Sequence, residues 1–97
     1  MNEQNIYPIY PASPKALALC EGVLLNEQER TPDEANAVYP FKSLLVGESF
    51  TVGFDKLGPG TLSSLRSSAT NFTRRLNRKF KVLVHDEYKC VEVARIC

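Results

Sequence analysis

Six basic side chains, Arg66, Arg74, Arg75, Arg78, Lys79 and Lys81, fall between Thr61 and Lys81 with no acidic residue among them, in a chain whose formal net charge is only +1. Residues 1–60 carry the opposite balance, four bases against eight acids. Charge sorted in this way points to a polyanionic partner or to an internal charge contact, since a merely solvated surface gains nothing by segregating its signs. Four of the six are arginines, whose planar guanidinium presents paired donors to phosphate oxygens. Ser67 and Asn71 lie among them and add short donors of the kind that complete contacts to a sugar-phosphate backbone. The chemistry expected is electrostatic capture of nucleic acid, DNA ahead of RNA. Roughly four to six phosphates would be engaged, with steep salt dependence and little sequence preference. An acidic protein surface is the competing partner for the same cations.

Other chemistries find less support. His85 stands alone, beside Asp86 and Glu87, with no serine or cysteine nucleophile in an activating arrangement, so it reads as a surface residue and the chain as a non-enzyme. Gly53, Gly58 and Gly60 lack the Lys-Ser/Thr element of a phosphate-binding loop, and Gly58-Pro59-Gly60 reads as a turn. Cys20, Cys90 and Cys97 show no C-x-x-C spacing; free thiols are expected, with no metal and no cofactor. Phe50, Phe54, Phe72 and Phe80 read as core rather than as a stacking platform for bases. Tyr7, Tyr10 and Tyr39 are expected to pack back onto the domain, stacking on a base being the alternative, and Tyr88 is left open.

The elements that must position the cations follow from periodicity. Leu62, Leu65, Ala69, Phe72 and Leu76 recur at spacings of three and four, which predicts an amphipathic helix from Thr61 to Leu76, capped by Thr61 and stopped at Asn77. Its apolar stripe sets Ser67, Asn71, Arg74 and Arg78 on the opposite side with Arg75 beside them, and all six bases are expected to face outward. Phe50, Val52 and Phe54 alternate with polar residues and predict a strand from Ser49 to Phe54. Phe80–His85 and Lys89–Ile96 read as an antiparallel hairpin. The fold class is thus α+β, strand-helix-hairpin, one helix packed on a small antiparallel sheet.

Residues 1–38 read as an acidic, Pro-containing arm ahead of a compact domain over 39–97. Tyr7–Pro11 is extended, because its prolines remove donors. Ser13-Pro14 and Thr31-Pro32 each predict the start of a short helix, the first running to Gly22 and the second to Val38. Glu27, Glu29, Asp33 and Glu34 could then fold across the basic helix as an internal clasp. No apolar run approaches the roughly 20 residues of a membrane span, and Met1–Asn5 does not begin a secretory signal, so a cytoplasmic protein is expected.

Tyr39-Pro40-Phe41, Val46-Gly47-Glu48-Ser49-Phe50, Ser64–Ala69, Arg78-Lys79-Phe80 and Val93–Ile96 together resemble a family of small, poorly characterised bacteriophage proteins. The resemblance covers residues 39–96. It implies a strand-helix-hairpin domain with a basic helix that acts on phage or host nucleic acid, and a location in the host-cell cytoplasm. Asn77 stands where glycine is usual in that family, and residues 1–38 have no counterpart in it. Phage origin also implies a second class of function, an inhibitor or modulator of a host factor such as RNA polymerase, a nuclease or a CRISPR effector. Self-association through a sheet edge or the arm is a third.

Overall fold

The computed structural model describes residues 7–21, 30–33 and 37–97 of the 97-residue chain. Its elements are β1 (Tyr10–Pro11), α1 (Pro14–Leu17), β2 (Glu48–Gly53), α2 (Thr61–Leu76), β3 (Phe80–His85) and β4 (Cys90–Arg95), with a 3₁₀ turn at Phe54–Lys56. All pairings are antiparallel and the sheet order is β1-β2-β4-β3. The α+β class, with one long helix on an antiparallel sheet, is the arrangement expected.

Register decides which side chains meet the helix. Phe50 and Val82 both lie opposite Val93, and Val52 and Val84 both lie opposite Val91. Residues directly opposite share a face of the pleat. Apart from Val84, which stays exposed, this face, with Leu65 and Ala69 from α2 and Phe41 and Leu44 from the preceding turn, forms the main core. Phe41 is its hub, stacked on Phe72 at 4.9 Å and edge-on to both Phe50 and Phe80 at 5.4 Å. Tyr7 and Tyr39 pack against the same cluster, 5.0 Å apart, whereas Tyr10 and Tyr88 stay exposed.

The ends of α2 show two different solutions. Asn77 takes the left-handed conformation (φ 57°, ψ 44°) that stops the helix, as its side chain tolerates better than most. Thr61, expected as the cap, is instead the first helical residue. Gly60 (φ 81°) occupies the cap position, and the Thr61 hydroxyl accepts a hydrogen bond from Gly58 N at 2.9 Å.

The arm is woven into the second face of the sheet. Tyr10 and Pro11 pair with Ser49 and Glu48, at an edge where the missing proline donor is harmless. Ser13 caps α1, its Oγ accepting from Ala16 N at 3.2 Å, and Ala16 packs with Ala12 against Ala94. The helix expected to reach Gly22 lasts one turn. Leu19 N and Cys20 N turn back to Ala16 O and Leu17 O, and Glu21 N is then captured by Ile96 O at 2.8 Å, so tertiary pairing overrides helix propensity. Thr31, Asp33, Ala37 and Val38 are not helical; the rest of the second expected helix lies outside the described residues. No helix among the described residues is long and apolar enough to cross a membrane.

Candidate functional site

Arg66, Ser67, Thr70, Asn71 and Arg74 border one shallow depression on the outward side of α2. Spacings of three and four place them on one stripe, opposite the buried Leu65 and Ala69. Arg66 and Arg74 are exposed, two turns apart, about 12 Å along the helix. Neither has an acidic partner among the described residues. The Thr70 hydroxyl donates back to Arg66 O at 3.1 Å, so the short donors on this face are Ser67 and Asn71. Lys81 borders an adjoining depression with Arg66 and Thr70. Its register partner is Ala94, so its Cβ leaves β3 on the face away from α2 and the lysine reaches the basic surface only around the sheet edge.

The other three expected cations have intramolecular work. Arg78 is half-buried rather than outward: Nη1 donates to Lys42 O at 2.9 Å and Nη2 to Thr31 Oγ1 at 3.1 Å. The αL turn at Asn77 breaks the helical spacing that would have kept Arg78 in line with Arg74. Lys79 Nζ meets Glu21 Oε1 at 2.9 Å; that hydrogen bond, with the carboxylate charge, raises the lysine pKa. The Arg75 guanidinium lies 5.2 Å from the Phe72 ring centroid, a cation–π contact that covers the core's rim. Arg74 and Arg75 also stand in the last turn of α2, where positive charge favours the helix dipole.

Of the four acids expected to fold across the basic helix, Asp33 is the one described, and it points elsewhere. Asp33 accepts from Lys42 N, Ser43 N and Ser43 Oγ at 3.1, 3.2 and 2.8 Å, bracing the turn that carries Phe41. Glu27, Glu29 and Glu34 lie outside the described residues. Glu21 is a described acid that does contact the basic segment, through Lys79.

A second polar constellation lies on the α1 face of the sheet. Glu92 is 2% exposed, yet its carboxylate accepts from Ser13 N (2.8 Å), Ser13 Oγ (2.7 Å) and His85 Nε2 (2.7 Å). Burial pushes its pKa up, but these bonds, with one from Ser49, outweigh that and hold it below the usual carboxylate range. His85 is therefore no surface residue. Sequence reasoning missed this pair because Glu92 looks like an outward position of an alternating strand; the signal was small Ala94 beside it, which admits α1. No group of three or more His, Cys, Asp or Glu side chains that could hold a metal occurs among the described residues.

The chain matches no family model, no curated protein and no solved structure.

Proposed function

We propose that this chain is a non-catalytic accessory protein of bacteriophage type that binds nucleic acid, DNA ahead of RNA, through the outward face of α2. The observation that carries the reading is the pairing of Arg66 and Arg74, exposed and without acidic partners among the described residues, with Ser67 and Asn71 between them. Guanidinium groups held on a rigid helix that is itself seated on the core present a fixed phosphate-binding stripe. Side chains that could read base edges are few, so affinity is dominated by counterion release and sequence preference is small.

Fluorescence anisotropy with labelled oligonucleotides tests it. Binding at low salt that weakens steeply at moderate salt is expected, and Arg66→Ala with Arg74→Ala should lower the salt slope by about two units. Absence of binding at low salt overturns the reading.

The same cations suit an acidic protein surface, as an inhibitor of a host factor would require. Exposed Leu17 and Leu19 at the end of α1 favour this second reading, since they add apolar contact area near the Glu21–Lys79 bridge. A pull-down from nuclease-treated host lysate separates the two: a stoichiometric protein lost in the Arg66/Arg74 double variant supports the host-factor reading, and loss of every partner after nuclease rejects it.

A further inference from the structure

We propose that the outer edge of β3 pairs with β3 of a second copy of this chain, antiparallel about a two-fold axis at Val82, joining two four-stranded sheets into one. The two edges of the sheet are unlike. β1 is two residues long and contains Pro11, features that blunt an edge. β3 closes the other side with six residues, Phe80-Lys81-Val82-Leu83-Val84-His85, in unbroken register with β4, its one strand partner. An edge of that length without proline offers a row of backbone donors and acceptors to another strand.

Which groups face outward follows from the register. Lys79 O accepts from Ile96 N at 2.8 Å and Lys79 N donates to Cys97 O at 3.2 Å, so Lys79 turns its backbone toward the β4 side. Residues of an antiparallel strand alternate in this respect, so Lys81, Leu83 and His85 also bond to β4, while the N–H and C=O groups of Phe80, Val82 and Val84 point away from it. None of those three has a hydrogen-bond partner on that outer side among the described residues.

Complementarity selects the occupant. With the axis at Val82, Phe80 lies opposite Val84 of the second copy and Val82 opposite its own counterpart, and each such pair exchanges two hydrogen bonds. On the α2 face the pairs are apolar throughout, and Val84, 38% exposed, gains a neighbour. Charge selects the same partner and direction. β3 begins beside Lys79 and carries Lys81, and it runs into Asp86 and Glu87, all of them exposed. An antiparallel copy sets the acidic turn of each chain against the basic start of the other, with Lys79 and Glu87 of the second copy as diagonal neighbours within reach of long side chains. Lys81 faces Leu83 of the second copy rather than another lysine. A parallel copy in register would set base against base and acid against acid.

Arg66 borders the same edge from α2. Two copies bring their Arg66 side chains to one side of the axis, a like charge that salt screens and that keeps the dimer weak. Cross-strand neighbours share a face, so both α2 helices lie on one side of the joined sheet with their outward stripes open.

Sedimentation equilibrium of the full chain from about 10 μM to about 1 mM, the range suited to a small interface, should show a monomer passing to a dimer. Amide exchange followed by NMR over the same range should slow at Val82 and Val84 as the dimer forms, and stay unchanged at Lys81 and Leu83. Val84→Pro removes an outward N–H that β4 does not use, a change that edge strands tolerate, and should weaken the dimer about ten-fold. Glu87→Lys should weaken it about three-fold, and adding Lys79→Glu should restore it; these exposed changes do not depend on how the fold takes the proline. A monomer at the highest concentration, or a double variant that fails to recover, overturns the proposal. So does a dimer in which Val82 and Val84 still exchange freely, which assigns self-association to another face. Protection independent of concentration overturns it as well, and assigns the edge to intramolecular cover.

Discussion

The Ser13 hydroxyl and the Glu92 carboxylate meet at 2.7 Å although 79 residues separate them. The same hydroxyl accepts from Ala16 N, so one side chain both caps α1 and ties it to the centre of the sheet. Ser13→Ala removes a helix cap, about 1 kcal/mol, and a hydrogen bond to a buried charge, about 1.5 kcal/mol or more. A loss of about 2–3 kcal/mol in urea unfolding is expected. A loss below about 0.5 kcal/mol, the range of ordinary surface changes, would mean that the arm does not contribute to the cooperative unit.

Glu92 also sets an acid limit. Burial raises its pKa, and the stronger effect of Ser13, His85 and Ser49 lowers it below the unfolded value. A carboxylate with a depressed folded-state pKa stabilises the protein fully above its unfolded value, about 4.3, and that contribution is lost as pH falls through the folded value. Glu48 acts in the same direction: its burial is outweighed by the paired contacts with Arg30 at 2.8 and 3.0 Å and by Leu45 N. The urea midpoint should therefore fall between about pH 5 and pH 3, and Glu92→Gln should flatten that fall. An unchanged slope in Glu92→Gln would assign the acid sensitivity elsewhere.

Legibility followed the range of the interactions. The α2 stripe, the Asn77 stop and the hairpin were readable because helix and strand periodicities are local and the core is apolar. What escaped were contacts made across the fold. Arg78 looked equivalent to Arg74 on a helical wheel, yet the αL turn between them sends it to the Lys42 carbonyl. Phe41, in a stretch without periodicity, gave no sign of being the hub of four rings. The Glu92–His85 pair depends on α1 covering the opposite face of the sheet, which a one-turn helix in a Pro-punctuated segment does not announce.

Arg78 and Arg74 should consequently respond differently to removal. Arg78→Ala leaves the half-buried Lys42 carbonyl without its donor and should cost about 1–2 kcal/mol of stability. Arg74→Ala touches an exposed side chain and should stay within about 0.5 kcal/mol while lowering the nucleic-acid salt slope by about one unit. Urea unfolding and anisotropy on the two variants check both halves; equal destabilisation by the two would remove the distinction drawn between them.

Phe41 should be the most sensitive core position. It is 2% exposed and touches Phe50, Phe72 and Phe80, so it joins the turn before β2, the helix and two strands. Phe41→Ala should cost about 3–5 kcal/mol, against about 1–2 kcal/mol for Phe41→Leu, which keeps most of the side-chain volume but not the ring. Thermal unfolding of the two variants gives the comparison. A similar loss in both would show that ring stacking, not filled volume, holds α2 on the sheet.

Glu21 holds the last cation in reserve. Its bridge to Lys79 at 2.9 Å is exposed on both sides, so its removal should leave stability nearly unchanged, as for most surface ion pairs. The consequence lies in the field around α2. Glu21→Ala deletes the acid that pairs with Lys79 and frees that lysine, adding about one phosphate contact to the salt slope and tightening nucleic-acid binding at low salt. At high salt, where the Debye length shrinks to about 3 Å, the variant and the parent should converge. Tightening that persists undiminished at high salt would place the effect in direct contacts of the arm, and no tightening at low salt would show that Lys79 lies outside the binding surface.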